Sequence, residues 1–168
     1  IIQSADLATG VGGKILQVKQ STQTSRVSHT VTDNVFSDIS GLSVNITPTA
    51  TSSKILVSYH LQFCTTVGNY NVMTRLMRGS TAIGIGDQVG SSRPKASNVV
   101  WTNSENYQGL QMDNMFLDSP NTTSATTYKL QWTDSYGQTI YLNRIITDSD
   151  ARYYPVTMCH ITVQEIAA

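Results

Sequence analysis

Charge is scarce in this sequence. Eleven Lys plus Arg residues balance eleven Asp plus Glu, and together they make up 13% of the 168 residues. An average soluble domain carries roughly 25%. A neutral chain lacks the basic footprint of a nucleic-acid binder, so no nucleic acid is expected among its partners. It also lacks the self-repulsion that keeps small proteins apart, so some of its surface is expected to be buried in an assembly. Long apolar runs are absent as well. No stretch approaches the about 18 residues of a membrane-spanning helix, and membrane insertion is not expected. Only two cysteines are present, Cys64 and Cys159, each inside an apolar run. That is too few for a disulfide-dependent scaffold, and no CxxC spacing offers a metal site. They read either as two buried small hydrophobes or as one disulfide, depending on their separation in space. Proline is rare, at four residues, and sustained helical periodicity is missing.

What is present is β-pattern. In "KILVSYHLQF" (54–63), Ile55, Val57, Tyr59, Leu61 and Phe63 alternate with polar or smaller residues, the period-two signature of a half-buried strand. "GLSVNITP" (41–48) repeats it with Leu42, Val44 and Ile46, and "VTMCHITVQEI" (156–166) with Cys159, Ile161 and Val163. "NVMTRLMR" (71–78) puts Val72, Thr74 and Leu76 on one face, with Met73, Arg75 and Met77 on the other. "TTYKLQWT" aligns Tyr128, Leu130 and Trp132. With shorter runs such as "GKILQVKQ", "SRVSHTV", "TAIGI", "NVVWT", "GLQMDNMFLD" and "QTIYLN", eight to ten strands are expected. No helix intervenes where a parallel crossover would need one. The fold class is therefore all-β, an antiparallel sandwich or barrel. Residues 1–12 read as an N-terminal connector and 13–168 as one domain. The chain starts "IIQSAD", without Met, and reads either as a processed product or, by preference, as a segment of something longer.

Chemistry-bearing motifs are few. Residues 84–90 read "GIGDQVG", three glycines spaced GxGxxxG. A dinucleotide fingerprint needs GxGxxG opening a helix. Here "SSRPKASNVVWT" follows, without helical period, so the glycines are expected to serve backbone geometry in an exposed turn. His29, His60 and His160 lack the companions a zinc site requires, and no metal or cofactor is expected. Asp148 and Asp150 in "TDSDAR" could contribute to a calcium loop, but an Asx-type turn is preferred with Ser149 between them. No GxSxG elbow and no evident carboxylate couple is present, so no catalytic residue is assigned. The best binding lead is aromatic. Tyr70, Trp101, Tyr107, Tyr136, Tyr153 and Tyr154 sit in or beside polar loops, where rings stack, and Asn103 adds an amide that hydrogen-bonds.

Six phrases, "GKILQVKQ", "GLSVNITPTATSSKILV", "RLMRGSTAIGIGD", "FLDSPNTTSATTYKLQW", "IYLNR" and "ITVQEIAA", occur in an order and spacing that resembles a domain of phage tail-fibre and other virion structural proteins. The resemblance runs from about Gly12 to Ala168 and departs at "VVWTNSENYQGLQ" (99–111), so the aromatics there are not carried over as known binding residues. It implies a jelly-roll β-sandwich similar to the C1q and tumour-necrosis-factor architecture. It also implies a homotrimer at a fibre tip, attached through its N-terminal end and located on the virion. The functional expectation is a non-enzymatic fibre or spike head that contacts other virion proteins and a bacterial surface glycan or protein. Trp101, Asn103, Tyr107, Tyr136 and Tyr153 are its expected receptor contacts. Met73, Met77 and Ile140, taken as apolar positions outside the core, are its expected subunit contacts. The alternatives are a capsid-decoration or fibre-assembly module without receptor binding, and a glycan-degrading enzyme.

Overall fold

The computed structural model describes residues 14–66, 68–103 and 109–167. The stretch expected as a connector, residues 1–12, lies outside them. Eleven strands and no helix are present among the described residues. In chain order they are β1 (Ile15–Gln23), β2 (Val27–Thr30), β3 (Ser37–Ile46), β4 (Lys54–Thr65), β5 (Asn71–Arg78), β6 (Thr81–Ile83), β7 (Asn98–Trp101), β8 (Leu110–Asp118), β9 (Thr126–Asp134), β10 (Thr139–Leu142) and β11 (Cys159–Ile166).

The count exceeds the expected eight to ten because three strand positions are each split in two. β11 pairs with Lys54–His60 of β4, and β10 pairs with Phe63–Thr65 on the same edge of β4, both antiparallel. β10 and β11 are thus one strand position interrupted by the 143–158 excursion. β1 and β2 line up beside them in the same way, and β6 and β7 share one edge of β5. Merging the pieces leaves eight positions. The first sheet runs β1/β2, β11/β10, β4, β8, and the second runs β3, β9, β5, β6/β7. The chain changes sheet at nearly every connection. Two antiparallel sheets related this way form a jelly-roll sandwich.

The period-two pattern is what closes it. Ile55, Val57, Tyr59, Leu61 and Phe63 of β4 all point between the sheets, as do Leu42, Val44 and Ile46 of β3 and Tyr128, Leu130 and Trp132 of β9. Burying each such aliphatic or aromatic side chain contributes about 1.5–3 kcal/mol, which is why the alternation sets the register.

The three expected subunit contacts need correction. Ile140 is fully buried in the core, because Ile140 and Leu142 form the inward face of β10 while Tyr141 points outward. Met73 and Met77 do lie on the face of β5 opposite Val72 and Leu76, but they are buried too. β5 sits between β9 and β6/β7, and Met73 lines a hollow roofed by the loop that follows β6. None of the three offers surface to a partner.

That loop contains the glycine-rich stretch. β6 is followed by Gly84, whose φ is +56°, a left-handed conformation that favours glycine. A Cβ added there would lie 2.9 Å from the Phe116 ring. The glycine serves backbone geometry, as expected, and also close packing against β8. Gly84→Ala should therefore cost about 1–3 kcal/mol, read by chemical denaturation. An unchanged midpoint would show that the Phe116 ring moves aside freely.

Candidate functional site

One end of the sandwich gathers the β2–β3, β4–β5 and β9–β10 turns and the two residues that follow β7. Its scaffold is built on Asp134, the last residue of β9 and fully buried. Its carboxylate accepts hydrogen bonds from the backbone amides of Tyr136 (2.9 Å), Gly137 (2.5 Å) and Gln138 (2.8 Å), while its carbonyl accepts from the Asn34 amide at 2.8 Å. Three amide donors satisfy the carboxylate oxygens that burial would otherwise leave without partners. Gly137 makes the turn possible with φ +79°. In sequence the device is "DSYGQ", an Asp followed three residues later by Gly, a turn signal that points to this nest.

The neighbouring loops are tied to the same frame. The Asn69 amide donates to the Thr102 carbonyl, and the Thr102 amide donates to the Tyr70 carbonyl, both at 2.7 Å. The buried Thr102 hydroxyl donates to the same Tyr70 carbonyl at 2.9 Å. The Ser135 amide donates to the Asn71 carbonyl at 3.2 Å, and Asn71 pairs with Trp101 across β5 and β7.

On this frame the Tyr70 and Tyr136 rings stack with centroids 4.1 Å apart and planes 14° from parallel. Burial, then the adjacent Tyr136, pushes the Tyr70 phenol above its ordinary pKa. Trp101 is 61% exposed and Tyr136 56%. Asn103 is exposed beside Thr102. The end therefore presents an indole, a stacked phenol pair and an amide on rigid supports. Flat rings and hydroxyl donors of this kind suit sugar faces or aliphatic side chains.

Of the five expected receptor residues, Trp101, Asn103 and Tyr136 come together here. Tyr107 falls outside the described residues. Tyr153 is elsewhere, in the 143–158 excursion over the outer face of the first sheet. There it lines a hollow of about 230 Å³ with Gln62, Gly109, Arg144, Pro155 and Thr157. The Arg152 guanidinium lies 4.7 Å from the Tyr153 ring centre. Asp134, and Tyr70, which is one of the expected loop aromatics but not one of the five, are the further participants. Tyr70's role depends on a ring 66 positions away in the chain, which no local pattern reports.

Several other titratable groups have structural partners. Asp148 does not form a calcium loop: its carboxylate pairs with Arg26 at 2.5 Å and Arg144 at 3.8 Å. His60 Nδ1 lies 2.6 Å from the Asp113 carboxylate, and its ring stacks on His160 at 5.9 Å. Among the described residues, no group of three or more His, Cys, Asp or Glu side chains is placed to hold a metal ion. Cys64 and Cys159 are both free thiols. Cys159 faces the core while Cys64 shares the outer face with Tyr141, so the sheet separates them. Burial pushes the thiols up to about 12 for Cys64 and about 11 for Cys159, and a thiol in that range is a poor nucleophile. Iodoacetamide should leave both unmodified in the folded protein and label both after denaturation, as read by mass spectrometry. Rapid labelling at neutral pH in the native state would contradict the burial.

No protein-family model matches this chain, and no curated protein matches its sequence. Solved structures similar to it include infectious bursal disease virus, Gx strain, at 13% identity and TM-score 0.44, covering 90% of this chain and 37% of that one. A mutant VP2 protein of the same virus, from derived T=1 particles, is 14% identical with TM-score 0.45, covering 90% and 36%. The VP2 subviral particle of that virus is 13% identical with TM-score 0.44, covering 90% and 41%. The chain thus spans less than half the length of these structures' chains.

Proposed function

We propose that this chain is a non-enzymatic structural domain of a virus particle. It forms the trimeric head of a phage fibre or spike and presents its aromatic loop end to a glycan or protein of the bacterial surface. The observation that carries the reading is the braced aromatic end: Trp101 at the end of β7, Asn103 just after it and the Tyr70–Tyr136 stack share a frame held by the buried Asp134 carboxylate under the Tyr136 turn and by the backbone bonds between Asn69, Tyr70 and Thr102. Rigid aromatic anchors ringed by polar loops are the usual composition of a binding hot spot. The buried carboxylates favour this over an enzyme, because Asp118, Asp134 and Glu165 are each committed to partners that hold the fold together. The resemblance to phage fibre domains supplies the virion context.

Self-association uses the outer face of the first sheet in this reading, since Met73, Met77 and Ile140 are interior. Val18, Gln164, Leu56 and Leu117 follow one another across that face in register, with Met115 one row away. Val18, Met115 and Leu117 are 54%, 65% and 52% exposed. A net charge of zero adds no repulsion between copies.

Two measurements test the proposal. Sedimentation velocity should show three chains per particle, and Met115→Asp with Leu117→Asp should release monomers; a monomeric parent domain overturns the trimer. Trp101→Ala with Tyr136→Ala should lower host-cell adsorption about tenfold or more, the scale of losing aromatic anchors, with little change in melting temperature. Adsorption equal to the parent's would remove the loop end from the contact surface.

A further inference from the structure

The loop after β6 is an arch rather than a loose turn. The Gly86 amide closes its neck by donating to the Ala96 carbonyl at 3.3 Å. Inside it the Gln88 amide donates to the carbonyls of Gly90 (2.6 Å) and Arg93 (3.3 Å). At its foot the Ser97 amide donates to the Thr74 carbonyl at 2.7 Å, which anchors the arch to β5. The arch roofs a hollow of about 630 Å³ on the outer face of the second sheet. A smaller one of about 350 Å³ lies beside it, and both are walled by Arg93, Pro94 and Lys95.

The charge in the larger hollow is one-sided. Arg75, Arg93 and Lys95 line it, and no carboxylate does. Three of the eleven cations in a neutral chain therefore converge on one depression. Asp38 acts on Arg75 from β3, two strands away across β9, but its oxygens already accept from Lys129 Nζ and Gln131 Nε2, each at 2.7 Å. Asp87 lies in the smaller hollow, opposite Arg93 and Lys95. Arg93 and Lys95 have no ion-pair partner among the described residues. Arg75 is pre-positioned, its guanidinium 4.2 Å above the Phe36 ring and its Nε bonded to Gln131 at 2.8 Å.

We infer that this hollow binds a carboxylated saccharide. Arginine pairs with a carboxylate through a planar fork, which makes Arg75 and Arg93 the acid-reading groups. The hydroxyls of Ser91 and Ser92 and the amide of Asn34, also on the lining, suit sugar hydroxyls. The volume is that of an ordinary small-ligand site. β5, the strand at its floor, is paired on both edges and offers an acidic peptide no backbone ladder, and such a peptide is the competing occupant in the test. The inference rests on the surface-contact reading above and adds to it the class of sugar.

The test is calorimetric titration of the isolated domain with trigalacturonic acid and with its fully methyl-esterified, neutral counterpart. The acid is expected to bind, with the ester at least tenfold weaker. Arg93→Gln with Lys95→Gln, both exposed, should lower affinity for the acid about tenfold without changing the melting temperature. Equal binding of acid and ester, no binding of either, or an unaffected double variant would overturn the inference. Tighter binding of hexaglutamate than of trigalacturonate would also overturn it, in favour of an acidic peptide. The virion reading is judged separately, by mass spectrometry of purified particles, so either can fail without the other.

Discussion

Asp118→Ala should destabilise the domain by about 3–5 kcal/mol, the usual cost of removing one partner from a buried ion pair. Asp118 ends β8 in the first sheet and is nearly buried. Its carboxylate accepts two bonds from one Arg78 nitrogen, at 2.9 and 3.0 Å, and one from the Tyr128 hydroxyl at 2.6 Å. Arg78 and Tyr128 both belong to the second sheet, so this carboxylate is a polar cross-link between the two layers. Burial, then the hydrogen bond to Asp118, raises the Tyr128 phenol well above its ordinary range. Alanine would leave the half-buried guanidinium with the Ser119 carbonyl at 3.2 Å as its remaining acceptor, and would take the carboxylate away from the buried Tyr128 phenol. Denaturant melts should show the loss as a lower midpoint at unchanged slope. Tyr128→Phe removes only one neutral donor and should cost about 1 kcal/mol. A drop below 1 kcal/mol for Asp118→Ala would mean that water or another acceptor reaches Arg78.

The second large effect is a response to acid. Glu165, near the end of β11, is fully buried. Burial opposes its ionisation. Bonds from Gln17 Nε2 (2.6 Å), the Thr49 amide (2.6 Å) and the Thr49 hydroxyl (2.7 Å), with Ser53, outweigh that and hold its pKa at about 2. The unfolded chain has the ordinary value of 4.5. A carboxylate depressed on folding contributes its full stability above the unfolded value and loses it as pH falls through the folded one. Stability should therefore decline between about pH 4.5 and pH 2. Glu165→Gln should be less stable at neutral pH by about 2–4 kcal/mol, the scale of charge-assisted bonds lost. Its stability should also fall less steeply over the acid range. Parallel acid profiles for parent and variant would show that Glu165 is not the titrating group.

Asp118 and Glu165 face inward on either side of Ile55 in one cross-strand row of the first sheet. Asp134 does comparable work at the opposite end. Both ends of the sandwich are thus closed by buried carboxylates: Asp118 and Glu165 take partners from distant strands and loops, while Asp134 holds the turn that follows it. A chain with so few charges has put several of the acidic ones inside, which leaves a surface dominated by neutral polar groups.

Much of this fold is legible in the sequence because a strand's alternation is local. The inward faces of β4, β9 and β11, and of β3 from Leu42 onward, follow from reading every second residue. The jelly roll's low charge and its glycine turn at Gly84 are equally local facts. Ile140 could have been placed the same way, since it shares a face with Leu142 in "TIYL".

The rest is set by which strands become neighbours. Met73 and Met77 look exposed in a half-polar strand, yet β5 occupies the sheet interior and carries an arch on its outer face. Tyr70 meets Tyr136, Asp118 meets Arg78 and Glu165 meets Thr49 across 66, 40 and 116 positions of chain. The sequence by itself determined which face of each strand seeks the core, because burial acts residue by residue on a period of two. Only the tertiary structure decided which aromatics gather at one end, which cations share a hollow and which acids are consumed as braces. Those outcomes depend on pairing between remote strands, and no local pattern records it.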